Sequence, residues 1–135
     1  MTYNVKANKT LYAVHLQSTE STISSGDAIP YAVQNGTSGH GVSVSSGVIT
    51  LPSGEWLISF TAELTSTTGF SADIYVNSSI DSTFPTVRAL NSTGESNLDS
   101  TAIPLKSDGS TTVELRVNDD VTVSTNSDCL IYGYK

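Results

Sequence analysis

Apolar and polar residues alternate in short runs along almost the whole chain. The run TLYAVHL (10–16) sets Leu11, Ala13 and His15 against Tyr12, Val14 and Leu16. The longest run is EWLISFTAEL (55–64). There Trp56, Ile58, Phe60, Ala62 and Leu64 fall on one face, and Glu55, Leu57, Ser59, Thr61 and Glu63 on the other. A period of two is the signature of a strand, and one strongly apolar face marks a central strand resting on a core. The same reading predicts strands at 29–33, 42–44, 48–51, 70–77, 84–90, 100–106, 111–118, 120–125 and 129–134. Turn signals separate them roughly every 8–12 residues, and no segment keeps a helical period. Residues 1–9 read as a polar arm and 17–28 as a loop. Pro30 places 29–33 at an edge or a strand start, and Asn35-Gly36 supplies positive φ for a tight turn. In GVITLPSGEWLISF (47–60) two runs meet at Pro52-Ser53-Gly54, which predicts a hairpin at the centre of a sheet. Each large side chain buried there contributes about 2–3 kcal/mol. The pattern predicts an all-β fold: one sandwich or jelly-roll domain at 10–135, preceded by the arm 1–9.

Composition sharpens this picture. Roughly 30% of the 135 residues are Ser or Thr, which favours strands and turns over helices. A chain of this length can bury one real core without disulfides or metals. The formal net charge is −7, and the six basic residues (Lys6, Lys9, Arg88, Lys106, Arg116 and Lys135) form no patch in sequence. A nucleic-acid backbone or an anionic membrane surface would be repelled, so neither is an expected partner. Cys129, the one cysteine, has no intrachain partner and sits in the apolar run CLIYGY, which predicts an inert buried thiol. The start MTYNVKANKT has no apolar core of signal-peptide type, and no run approaches the ~20 apolar residues of a membrane span. Synthesis in a cytosol without export through a cleaved signal is expected.

Ordered motifs then bring in a family. ITLPSGEWLISF resembles the signature of the globular head of the complement/tumour-necrosis-factor superfamily, in which Pro, a tight turn and Gly-x-aromatic-x-Phe follow one another. Pro52, Gly54, Trp56 and Phe60 match in order. The turn is one residue shorter than in the animal heads, and Ile58 stands where the family often has Phe. LRVNDDVTV (115–123) resembles the family's Leu-x-Leu-x-x-Gly-Asp-x-Val, with Asn118-Asp119-Asp120 replacing Gly-Asp. IYGYK (131–135) resembles the closing aromatic-x-Gly-aromatic strand, and LYAVHL the first strand. The resemblance spans residues 10–134. It implies a jelly roll of about ten strands that forms a homotrimer, with the first, last and central strands facing the threefold axis. On that basis Tyr12, His15, Trp56, Ile58, Tyr132 and Tyr134 are the expected trimer interface. Packing of Tyr12, Tyr132 and Tyr134 within one subunit is the alternative.

Candidate chemistry is sparse. His15 and His40 are the only histidines, and a zinc site needs more ligands than these and one cysteine supply. His15 reads as a structural strand residue or as a group that binds an anion or reports pH; His40 reads as solvated. No nucleophile elbow is present. Asp73, Asp99, Asp119 and Asp120 could meet around Ca²⁺, or Asp119-Asp120 could be a solvated turn. Arg88 and Arg116 could anchor an acidic partner or form surface pairs. No catalytic residue, metal or cofactor is expected.

Together these readings predict a non-enzymatic structural protein. The low-charge, Ser/Thr/Gly-rich texture resembles phage versions of the superfamily. The expectation is a homotrimeric knob that decorates or cements a phage head, made in the host cytoplasm and located on the capsid surface of the virion. Its partners would be itself and the major capsid protein, contacted through Tyr3, Lys6 and Lys9 of the arm. The alternative is a tail-fibre or head-fibre tip that binds a host surface glycan.

Overall fold

Alternation of the kind seen in 55–64 commits the backbone to strands, and strands need neighbours on both edges. The computed structural model describes residues 11–34, 39–66, 70–80, 87–88, 94–100 and 102–134. Among them the chain forms fourteen strands and no helix. In chain order these are β1 (Leu11–Ser18), β2 (Ser21–Ile23), β3 (Tyr31–Val33), β4 (Ser43–Ser45), β5 (Val48–Thr50), β6 (Gly54–Ser66) and β7 (Ser71–Val76). They continue as β8 (Ser79–Ile80), β9 (Val87–Arg88), β10 (Gly94–Asp99), β11 (Ile103–Ser107), β12 (Thr112–Val117), β13 (Val121–Val123) and β14 (Asp128–Tyr134).

Two antiparallel sheets result. The first runs β2-β13-β6-β14-β1-β3, with β10 and β11 also paired to β6. The second runs β4-β5-β12-β7-β8, with β9 also paired to β7. Val14, Leu16, Trp56, Ile58, Phe60, Leu64 and Ile131 from the first sheet face Ile49, Ala72, Ile74, Val113, Leu115 and Val117 from the second, and all are buried. This is a single jelly-roll β-sandwich, and its inner faces carry the apolar half of each alternating run.

The hairpin expected at Pro52-Ser53-Gly54 is a different structure. Ile49 of β5 pairs with Val113 and Val44 in the second sheet, whereas Trp56 of β6 pairs with Gly133 and Leu105 in the first. The turn is an arch that carries the chain from one sheet to the other over the core. Leu51, fully buried, fills the arch, and its N–H donates to the Thr111 carbonyl at 2.9 Å. Pro and Gly serve an arch and a hairpin equally well, so the local sequence does not separate them. Three strands, β2, β8 and β10, also lie outside the expected ones. β2 falls inside 17–28, and β10 presents only Leu98 to the core among its described side chains. Edge positions with one apolar contact leave too little alternation to read.

β6 is paired along both edges but changes partners midway. β14 and then β13 occupy one edge, β11 and then β10 the other. Hydroxyls fill the gaps in the ladder. Ser100 Oγ accepts from the Phe60 N–H at 2.8 Å, Ser127 Oγ accepts from the Glu63 N–H at 2.9 Å, and Thr61 Oγ1 accepts from the Asp128 N–H at 3.2 Å. Part of the Ser/Thr excess therefore satisfies backbone groups that no strand reaches.

Trp56 fixes the centre. Its Nε1 donates to the Pro52 carbonyl at 2.8 Å, which ties the ring to the arch. Its six-membered ring packs over Gly133, where a Cβ would lie only 2.1 Å from Trp56 Cε3. Gly54 has φ +147°, and a Cβ there would lie 2.3 Å from the Tyr134 carbonyl oxygen. Both glycines are thus demanded by the pairing of β6 with β14. Gly133→Ala should destabilise the protein by about 2–3 kcal/mol, because the ring cannot retreat without leaving Pro52. Urea unfolding followed by Trp56 fluorescence measures this, and a loss below about 0.5 kcal/mol would mean that the ring shifts freely.

Candidate functional site

The strands that bury Trp56 on one side carry a second pattern on the other. Tyr132 pairs with Ala13 on β1 and with Leu57 on β6, and Leu57 pairs in turn with Pro104 on β11. All four residues are exposed, so one apolar row crosses four strands on the face turned away from the core. Leu130 lies one row below, between His15 and Ser59, and Tyr134 one row above, opposite Glu55. Leu57, Leu130, Tyr132 and Tyr134 are 40–43% exposed. Single exposed apolar residues are ordinary, but a contiguous patch of this kind marks an interaction surface. Within it lies a shallow depression of about 320 Å³, walled by Leu57, Pro104, Tyr132 and Tyr134 and floored at Trp56 and Gly133.

Beside the patch the charged groups stand in pairs. Glu55 stands opposite Lys106 in the β6–β11 register. His15 Nε2 lies 2.6 Å from Asp128 Oδ1. Pro104, which has no N–H to offer, sits on β11, and β11 pairs only with β6 among the described residues.

The expected interface residues divide. His15, Tyr132 and Tyr134 lie on the open face. Trp56 and Ile58 do not: they are 3% and 0% exposed and point into the sandwich, because side chains one position apart on a strand face opposite ways. Leu57 between them is the residue that reaches the surface. Tyr12 pairs with Gly133 and so faces the same side as Trp56, away from Tyr132 and Tyr134. Its ring meets His40 at 4.3 Å between centroids, so the half-buried His40 has a ring partner where solvent was expected. Sequence reasoning missed Leu57, Leu130 and Asp128. The signal for Leu57 was an apolar residue on an otherwise polar half of its strand.

The acidic cluster does not converge. Asp73 accepts from Asn118 Nδ2 at 2.8 Å, Asp119 from the Ser71 N–H at 3.1 Å, and Asp120 from the Ser25 N–H at 2.9 Å. Asp73 lies on β7 of the second sheet and Asp99 on β10 of the first. Among the described residues no three His, Cys, Asp or Glu side chains group as metal ligands. Arg116 Nε donates to buried Glu114 at 2.8 Å, and its guanidinium lies 4.0 Å from the centroid of the Tyr75 ring, on the second sheet. The side chain of Arg88 and the whole arm, with Tyr3, Lys6 and Lys9, lie outside the described residues. Burial, and next the charge of Asp128, push the Cys129 thiol far above its ordinary range. Cys129 should resist a thiol reagent at about pH 8 in the folded protein and react fully once unfolded, as an absorbance assay in buffer and in denaturant would read. Rapid labelling of the native protein would contradict the buried assignment.

No family model and no curated protein sequence matches the chain. Solved structures do. Murine APRIL at pH 8.5 superposes with a TM-score of 0.68 at 10% identity, covering 92% of this chain and 99% of that one. Eiger TNF from S. frugiperda gives 0.68 at 11% identity, covering 91% and 92%. The globular domain of zebrafish complement 1qA gives 0.64 at 12% identity, covering 93% and 96%. The chain shares its jelly-roll fold with these proteins over nearly the full length of each.

Proposed function

We propose that the chain is a non-enzymatic structural protein that associates as a homotrimer through its open sheet face, and that the trimer decorates an assembled phage head. The observation that carries the self-association is the row Ala13–Tyr132–Leu57–Pro104 with Leu130 and Tyr134 beside it. Removing the remaining exposed surface of each large side chain from water contributes on the order of 1 kcal/mol. One protomer alone offers little against the cost of association, about 4 kcal/mol or more. A closed threefold ring gives every protomer two neighbours, so the three patches are withdrawn from water together around the axis. A second copy is the fitting occupant because the charged groups beside the row stand in pairs, Glu55 opposite Lys106 and Asp128 against His15, the second pair being neutral only when His15 carries a proton.

The head-decorating role is supported by the phage-like, Ser/Thr-rich and charge-poor texture and by the homotrimer that the family resemblance implies. A threefold knob satisfies three identical contacts at a threefold position of a shell. Binding only the assembled shell, it would stabilise that shell by mass action, with avidity from three arms. The arm 1–9, with Tyr3, Lys6 and Lys9, is the proposed contact to the major capsid protein, on a protein made in the host cytoplasm.

Light scattering at low micromolar concentration should give three times the mass of the chain. Leu57→Lys with Tyr132→Glu should give a monomer with an unchanged far-ultraviolet spectrum; a trimer in that double variant would place the interface elsewhere. Deleting residues 1–9 should abolish co-sedimentation with undecorated phage heads while leaving the trimer intact. Heads that never bind the trimer would remove the capsid role and leave the self-association standing.

A further inference from the structure

We infer that this self-association takes up protons, and that the His15–Asp128 pair on the associating face is the group that binds them. The inference rests on the homotrimer proposed above. β1 supplies His15 and β14 supplies Asp128; Nε2 and Oδ1 are 2.6 Å apart, and the two side chains are 41% and 36% exposed. His15 pairs in register with Leu130, so the ion pair borders the apolar row directly. A second copy seated on that row withdraws the pair from water.

Among the described residues on the elements packed around His15, no other cation faces the carboxylate. On β1 itself, Gln17 is neutral and donates to the Thr125 carbonyl at 2.5 Å. β3 brings Val33, and next to it Gln34, whose N–H donates to the His15 carbonyl. Tyr31 of β3 faces the core and donates to the Thr61 carbonyl at 2.6 Å. β14 brings Asp128 and, two rows on, the neutral phenol of Tyr132. β6 lies beyond β14 and brings Ser59, Thr61 and then Glu63, which is held by Ser124 Oγ at 2.6 Å and Asn126 Nδ2 at 3.2 Å.

An imidazole changes charge between about pH 5 and 8. With His15 neutral, closing the face buries one uncompensated carboxylate per protomer, and copies gathered around an axis repel. With His15 protonated, the buried pair is neutral and hydrogen-bonded. The assembled state therefore holds the imidazole proton more tightly than the free protomer does. By linkage, association is strengthened below the imidazole range and loses that contribution as pH rises through it; it would weaken again at low pH only when Asp128 itself takes a proton. Each proton taken up changes the association constant by at most about tenfold per pH unit.

The test is a dilution series by light scattering or sedimentation equilibrium at about pH 6 and about pH 8. The wild-type half-assembly concentration should be at least about fivefold lower at the acid value. His15→Gln, which keeps a donor to Asp128, should assemble alike at both. Asp128→Asn should reverse the trend and assemble more tightly at the alkaline value, because its imidazolium would be buried without a counter-charge. Wild-type assembly that is equal at the two values, or a pH dependence that survives in His15→Gln, overturns the inference and leaves the self-association intact. A chain monomeric at both values overturns both readings.

Discussion

The six-membered ring of Trp56 lies where the side chain of residue 133 would be, and the rest of the first sheet is arranged around that fact. Only glycine at 133 admits the ring, so the position sets the register of β6 against β14. The indole N–H holds the Pro52 carbonyl and thereby fixes the arch between the sheets. Once β6 and β14 are locked, β1 and β11 follow on either side. One buried aromatic thus joins the two sheets, the central register and the glycine of the closing strand.

That register also determines what the outer face offers. A slip of one residue would bring Leu57 and Tyr132 into the core and turn Trp56 and Ile58 outward. Because the slip is forbidden at Gly133, Ala13, Tyr132, Leu57 and Pro104 align across four strands. The surface proposed to bind a second copy is therefore a by-product of the same packing that secures the core. The acidic groups of the molecule are largely spent elsewhere, on the backbone N–H groups of Ser71 and Ser25 and on Asn118. His15 and Asp128, by contrast, meet on the open face itself.

The Ser/Thr-rich composition has a structural use in this arrangement. β6 is thirteen residues long and must exchange partners on both edges. At the exchange points Ser100, Ser127 and Thr61 stand in for missing strand neighbours. A hydroxyl is small enough to enter such a gap and can accept from an N–H in any orientation, which suits an irregular ladder.

Much of the fold was legible in the chain itself. Strict alternation made β1, β6, β12 and β14 readable, since a strand with one buried face must alternate. The ordered Pro52, Gly54, Trp56, Phe60 and the closing Tyr132-Gly133-Tyr134 pointed to the jelly roll. The sequence by itself determined the all-β class, the core half of each long strand and the buried thiol of Cys129. It did not determine that Pro52-Ser53-Gly54 is an arch, because a turn's residues do not say which sheet receives the next strand. Nor could it align Leu57 with Tyr132, Ala13 and Pro104 across four strands, or bring His15 to Asp128, 113 positions away. Those were decided by tertiary structure alone, because strand pairing is non-local: alternation states which face of a strand is apolar, and only the pairing decides which side chains of other strands stand beside it.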